Sequence, residues 1–202
     1  MLIDSHCHLD PEYFPEGPDA VLARAKEAGV EHFVVIGVGE GGAAAEQAVR
    51  LAGERPDVSA TVGVHPHDAK GMDEALFERL RSYSEDEQVV AIGEVGLDYH
   101  YMHSPEATQQ EVFRRFISLA KERGKPIVIH TRSAPEDTLR ILEEEDAREV
   151  GGIIHCFSED RPFAARALDM DFDISFSGIV TFKNARAIQD VARWAPLGRV
   201  MV

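Results

Sequence analysis

Short β-branched apolar runs alternate with stretches of helical periodicity along almost the whole chain. The apolar runs lie at Leu2 to Ser5, His32 to Gly37, Val58 to Gly63, Val89 to Gly93, Pro126 to His130, Gly152 to His155, Phe172 to Ser175 and Arg199 to Val202, and each predicts a strand. Between them, Ala20 to Ala28, Ala43 to Gly53, Glu74 to Tyr83, Gln109 to Arg123, Glu136 to Glu145, Pro162 to Leu168 and Ala185 to Trp194 predict helices, several bounded by glycine or proline. Strict β and α alternation predicts a parallel sheet with helices outside it. Eight such strands fit an α/β TIM-type (β/α)8 barrel, with an open doubly wound sheet as the runner-up. No linker and no repeat beyond the βα period stands out, so the chain reads as a single domain over residues 1–202. A complete eight-stranded barrel usually takes about 250 residues, so the chain is short for its pattern.

The metal-capable residues fall at the ends of these runs. His6 and His8 share one face of an extended strand and can aim two imidazoles at one cation, while Cys7 points the other way. Glu94 follows the apolar run that ends at Gly93; its carboxylate has two oxygens and can bridge two cations. His130 and His155 close two further runs. Either histidine alone would be read as a hydrogen-bonded core residue. In a barrel, however, the strand ends meet at one mouth, and His6, His8, Glu94, His130 and His155 then converge. Five positions from four strand ends favour a closed ring over an open sheet. Arg132, two residues beyond His130, carries a planar fork that suits a phosphate. Asp98, Tyr99, His100, Tyr101 and His103 form an aromatic and polar segment beyond Glu94, where rings either stack on a base or pack the loop down. Lys125 precedes its strand and is expected at the opposite mouth, which leaves the bridging role to Glu94.

The segments DSHCHLD, GVHP, GEVGLDYHYMHSP, KPIVIHTR, GGIIHCFSED and ISFSGIVTFKNA, running from residue 3 to the last residue, resemble the successive motifs of the TatD family of metal-dependent deoxyribonucleases, within the amidohydrolase-like barrels. The resemblance implies metal ligands at His6, His8, Glu94, His130 and His155, and a phosphate-contacting or supporting role for His65 in Gly63-Val64-His65-Pro66. It also implies one more ligand, an aspartate just after the eighth strand, where this chain stops at Val200-Met201-Val202. The expectation is therefore a barrel whose C-terminal part is missing. A smaller departure is Ser133, where many relatives carry aspartate.

Charge narrows the partners. Acids outnumber bases 36 to 21, a net charge of −15, which argues against broad electrostatic binding of duplex nucleic acid. A cationic metal pocket can still take a DNA end or a single strand. Acidic runs such as Glu143-Glu144-Glu145-Asp146 read as a solvated helix end. The absence of a long apolar run or a basic leader before one predicts no membrane segment and a cytoplasmic protein, and the two cysteines, Cys7 and Cys156, are expected to be reduced. No obligate protein partner is evident.

The expected cofactors are two divalent metal ions, zinc, magnesium or manganese, about 3.5–4 Å apart. The expected reaction is hydrolysis of phosphodiester bonds at DNA ends by a metal-activated water, with Glu94 bridging and Arg132 and His65 positioning the phosphate. The alternatives are a metal-dependent ester or amide hydrolase, such as an aminoacyl-tRNA deacylase, and an inactive fragment.

Overall fold

The computed structural model describes residues 2–9 and 14–202. Eight strands, β1 (Leu2–Cys7), β2 (Val30–Gly37), β3 (Val58–Val62), β4 (Val89–Asp98), β5 (Ile127–Arg132), β6 (Gly152–Ile154), β7 (Phe172–Ser175) and β8 (Val200–Met201), form one sheet in the order of the chain, and every pairing is parallel. An unbroken sequential order is the winding of a barrel; a doubly wound sheet reverses its order part-way. β1 and β8 are the two edges of the pairing, and residues of β1 and β7 flank a common cavity of about 350 Å3 with Val202. The sheet thus curls until its first and last strands face each other, the TIM-type architecture the alternation predicts.

Among the described residues, seven helices cover the outside: α1 (Pro18–Glu27), α2 (Ala43–Glu54), α3 (Glu74–Tyr83), α4 (Glu106–Arg123), α5 (Pro135–Glu144), α6 (Arg161–Asp169) and α7 (Arg186–Trp194). Their starts follow local chemistry. Pro18 and Pro135 occupy the first turn, where a missing N–H costs nothing. Asp73 and Asp160 cap α3 and α6 by accepting the N–H groups of Leu76 and Phe163. Gly124, in the left-handed conformation, ends α4. Helix α4 begins at Glu106, one turn before its buried stripe: Glu106 and Ala107 are exposed and Thr108 is half-buried, so they leave no hydrophobic signal. Its buried Phe113, Phe116 and Ile117 pack toward β4. Each such side chain contributes roughly 1.5–3 kcal/mol of burial free energy. No helix among the described residues is long and apolar enough to cross a membrane.

Two expectations are refined. The acidic run at the end of α5 is not simply solvated: Glu143 accepts from Arg166 of α6 at 2.6 Å, and Glu144 and Glu145 both pair with Arg114 of α4. It ties neighbouring helices together. Strands β1, β4 and β5 also run beyond their apolar stretches, to Cys7, Asp98 and Arg132, because backbone pairing continues where side chains turn polar. His6, Glu94, Asp98, His130 and Arg132 therefore sit on strands rather than on loose loops.

Gly96 shows how tightly this end of the sheet is drawn. It pairs with His130 and has φ +141, and a Cβ placed there would overlap the His130 carbonyl oxygen. Gly96→Ala is expected to cost at least about 2 kcal/mol of stability, read from the thermal midpoint. A midpoint equal to wild type would mean that β4 and β5 are farther apart at His130.

Candidate metal centre

β1, β4 and β5 deliver their polar ends to one mouth of the barrel. A register shift between Gly93 and Val95 places a bulge at Glu94, and bulges re-aim side chains. Glu94 is 4% exposed, and its two oxygens meet different histidines. Toward Oε2 lie His6 Nε2 at 3.4 Å and His8 Nε2 at 4.0 Å, with the two histidine nitrogens 3.1 Å apart. Toward Oε1 lie His130 Nδ1 at 3.0 Å and His65 Nε2 at 4.0 Å, with 3.2 Å between those nitrogens. Donors on a tetrahedral ion held at ~2.0–2.1 Å stand roughly 3.3 Å apart. In each triad, His6/His8/Glu94 and His65/Glu94/His130, two of the three separations are close to that value and the third is 4.0 Å, and these are the groups of such donors among the described residues that could hold an ion.

All five expected ligands reach this mouth, but they do not enter alike. His155, just past β6, stacks face to face on His6 with 3.4 Å between ring centroids and 4° between planes. It belongs to neither triad by ligand-atom distance. His65, expected to contact phosphate or to support the site, stands in the second triad beside His130. Arg132 lies at the end of β5 with its guanidinium carbon 4.7 Å from the centroid of Tyr101. Lys125 is at the opposite end, donating to the carbonyls of Ser84 at 2.6 Å and Asp86 at 2.8 Å, as its position before β5 predicts.

Asp98 and His67 complete the arrangement, and their part in it was not read from the sequence. Asp98 is fully buried at the end of β4; its Oδ2 lies 3.1 Å from His130 Nε2 and 2.9 Å from His67 Nε2. His130 is thus held at both nitrogens, Nε2 by Asp98 and Nδ1 toward Glu94, the arrangement that fixes ring orientation in metal-binding histidines. The signal was present: Glu94, Gly96 and Asp98 alternate, so the second carboxylate shares the strand face of the first.

The electrostatics follow from these contacts. Burial would push the Glu94 carboxyl up, but hydrogen bonds from His130 and His6, with their charge, outweigh it and hold it well below the ordinary range. Burial likewise opposes ionisation of Asp98, yet hydrogen bonds from the Tyr101 backbone, His67 and His130 bring its pKa down to about 2. His65 is lowered to about 3 by burial and the neighbouring His130, and His155 to about 4 by burial and His6, so both imidazoles stay neutral. For His130, burial is overcome by the hydrogen bonds and charge of Glu94 and Asp98, and its pKa is raised above 6.5.

Ligands bind an ion only when unprotonated. Protons on His130 should therefore compete with metal, so that apparent affinity climbs as pH rises through 6.5 and beyond, with proton release on binding. Calorimetric titration in two buffers of different ionisation enthalpy measures that release; none at pH 6.5 would remove His130 from the ligand set.

The chain's likeness to known proteins agrees with this geometry. The TatD-related DNase family matches residues 3–202. A protein of Escherichia coli K12 described as an uncharacterised metal-dependent hydrolase, YcfH, is 44% identical over 205 residues, covering 100% of this chain and 76% of its own length. A protein of Klebsiella pneumoniae named 3'-5' ssDNA/RNA exonuclease TatD is 32% identical over 179 residues, 89% of this chain and 67% of its own. The crystal structure of YjjV, a TatD homologue from Escherichia coli K12, superposes with a TM-score of 0.89 at 27% identity, covering 98% of this chain and 76% of that one. An eight-stranded parallel barrel, carboxylate and imidazole donors gathered at one mouth, and a match over nearly the whole chain lead to one conclusion: the protein belongs to the TatD family of metal-dependent hydrolases.

Proposed function

We propose that the protein is a nuclease that trims single-stranded DNA from its 3' end, with residues 1–202 acting as a single hydrolase domain. The observation that carries the reading is the two-sided Glu94, with a pair of imidazoles at each carboxylate oxygen. Two divalent ions held there, zinc, magnesium or manganese, would lower the pKa of a water and offset charge on a phosphoryl oxygen. Glu94, kept ionised, bridges the two halves; His6 and His8 serve one, and His65 and His130 the other. His155 supports the first half by fixing the plane of His6, and its neutral ring is available as a donor.

Arg132 positions the phosphate. Its guanidinium has no carboxylate partner among the described residues, in a chain where acids outnumber bases 36 to 21. Its N–H groups match two phosphate oxygens. Asp98 keeps His130 turned toward the centre. The net charge of −15 disfavours a long duplex footprint and suits a single-strand end entering the mouth. The Klebsiella pneumoniae relative, named a 3'-5' ssDNA/RNA exonuclease, supports a single-stranded substrate and the same polarity. The reading places the protein in the cytoplasm, where Cys7 and Cys156, both free, stay reduced.

The test is a 5'-labelled single-stranded deoxyoligonucleotide incubated with metal-loaded protein. Stepwise shortening from the 3' end, abolished by a chelator, is expected. Cleavage of carboxylic esters or aminoacyl-tRNA without nucleotide release would replace the nuclease with an ester or amide hydrolase. Metal binding with no turnover on either would leave a binding protein.

A further inference from the structure

The segment between β4 and α4 holds a group of rings that the metal centre does not use. Tyr101 is 50% exposed. Its ring lies 5.7 Å from that of His103, within 15° of parallel, and 5.5 Å from that of His67. His67 in turn is 6.1 Å from His130, so the rings run outward from the centre. Met102, between the two stacked residues, takes a left-handed φ of +52, a conformation uncommon for a non-glycine residue and found where a site fixes it.

The loop does not need the tyrosine ring to keep its shape. Asp98 Oδ1 accepts the backbone N–H groups of His100 at 3.0 Å and Tyr101 at 2.8 Å. Ser104 donates to the His67 carbonyl at 2.8 Å and accepts from the Lys70 N–H at 3.0 Å, and Gln109 donates to the carbonyls of Asp98 and Ser104. With the backbone fixed by these bonds, the ring is not needed for the loop's shape and stays half exposed at the mouth. A cavity of about 370 Å3, within the size range of small-molecule sites, opens against His67 and His103. Arg132 lies over the Tyr101 ring, so the ring's negative face is already satisfied and an organic cation is a poor fit. A planar neutral ring joined to a phosphate meets both features.

We propose that Tyr101 and His103 form a stacking platform for the 3'-terminal nucleobase of a single-stranded substrate, with Arg132 at that nucleotide's phosphate. The inference rests on the nuclease reading and adds the element that holds the base. Stacking of this kind tolerates every base, because each has a π-face. The platform therefore confers preference for single strands with exposed bases, not for a sequence.

The experiment uses metal-loaded protein and a phosphorothioate-linked single-stranded oligonucleotide with 2-aminopurine as its 3'-terminal base, beside a copy with an abasic 3' end. Cleavage of an unmodified strand is followed in parallel. Expected are quenching of the 2-aminopurine on binding and tighter binding of the base-bearing strand. Tyr101→Ala should erase that preference, a change of roughly 5- to 150-fold, and lose the quenching, while Tyr101→Phe keeps both. Quenching and preference unchanged in Tyr101→Ala would overturn the platform. So would wild-type cleavage of the unmodified strand with no quenching, although the nuclease reading would then stand. Tyr101-dependent quenching without cleavage would support the platform and overturn the nuclease; neither binding nor cleavage would overturn both.

Discussion

Replacing Glu94 with glutamine is expected to abolish hydrolysis and to empty both halves of the centre. The carboxylate is buried, and its two oxygens face separate imidazole pairs, His6 with His8 and His65 with His130. Glutamine keeps the shape but removes the negative charge and turns one of the two acceptors into an N–H2 group, which repels a cation. Whichever way the amide rotates, one pair of histidines loses its anionic partner. Loss of metal-supplied charge stabilisation is worth several kcal/mol, so turnover should fall roughly 10³-fold or more. Metal content by elemental analysis and the rate of nucleotide release are the measurements. Two ions retained with full activity would exclude Glu94 as the bridge.

The second large effect is expected from Asp98→Asn, a residue that touches neither oxygen of Glu94. Asp98 accepts from His67, from His130 and from two backbone N–H groups. The substitution removes the charge that fixes His130, and changes to such supporting groups typically cost 10- to 100-fold in metal affinity. Stability should drop as well, by about 1–3 kcal/mol, since a buried group is left with mismatched partners. The Asp98 pKa falls from 3.8 to about 2 on folding, so its contribution is fully present above pH 3.8 and disappears as pH falls through 2. The gap in stability between wild type and variant should therefore close in acid. A variant that is less stable yet binds metal with wild-type affinity would restrict Asp98 to holding the loop after β4.

The limits of sequence reading are visible in particular residues. His6 and His8 were legible because extended backbone puts residues two apart on one face, and their nitrogens stand 3.1 Å apart. The apolar runs of β4 and β5 end at Gly93 and His130, whereas backbone pairing continues to Asp98 and Arg132, so Asp98 is the last residue of β4 although the apolar pattern leaves it outside the strand. Nothing in Gly63-Val64-His65-Pro66 reveals that the turn after β3 brings His65 to 3.2 Å from His130, 65 residues further along.

What the sequence determined by itself was the alternation of strand and helix, the sequential order of a barrel, and many of the residues that gather at its mouth, His67 and the part played by Asp98 excepted. These follow from periodicity and from the direction of parallel strands, which are properties of short stretches of chain. Only the tertiary structure decided the division of labour: which oxygen of Glu94 meets which histidines, that His155 stacks on His6, that Asp98 holds His130, and that Arg132, with no carboxylate partner among the described residues, rests on Tyr101. Each of those depends on separations of a few ångströms between strands distant in sequence. Such separations are set by the bulge at Glu94, the close pairing at Gly96 and the curl of the whole sheet.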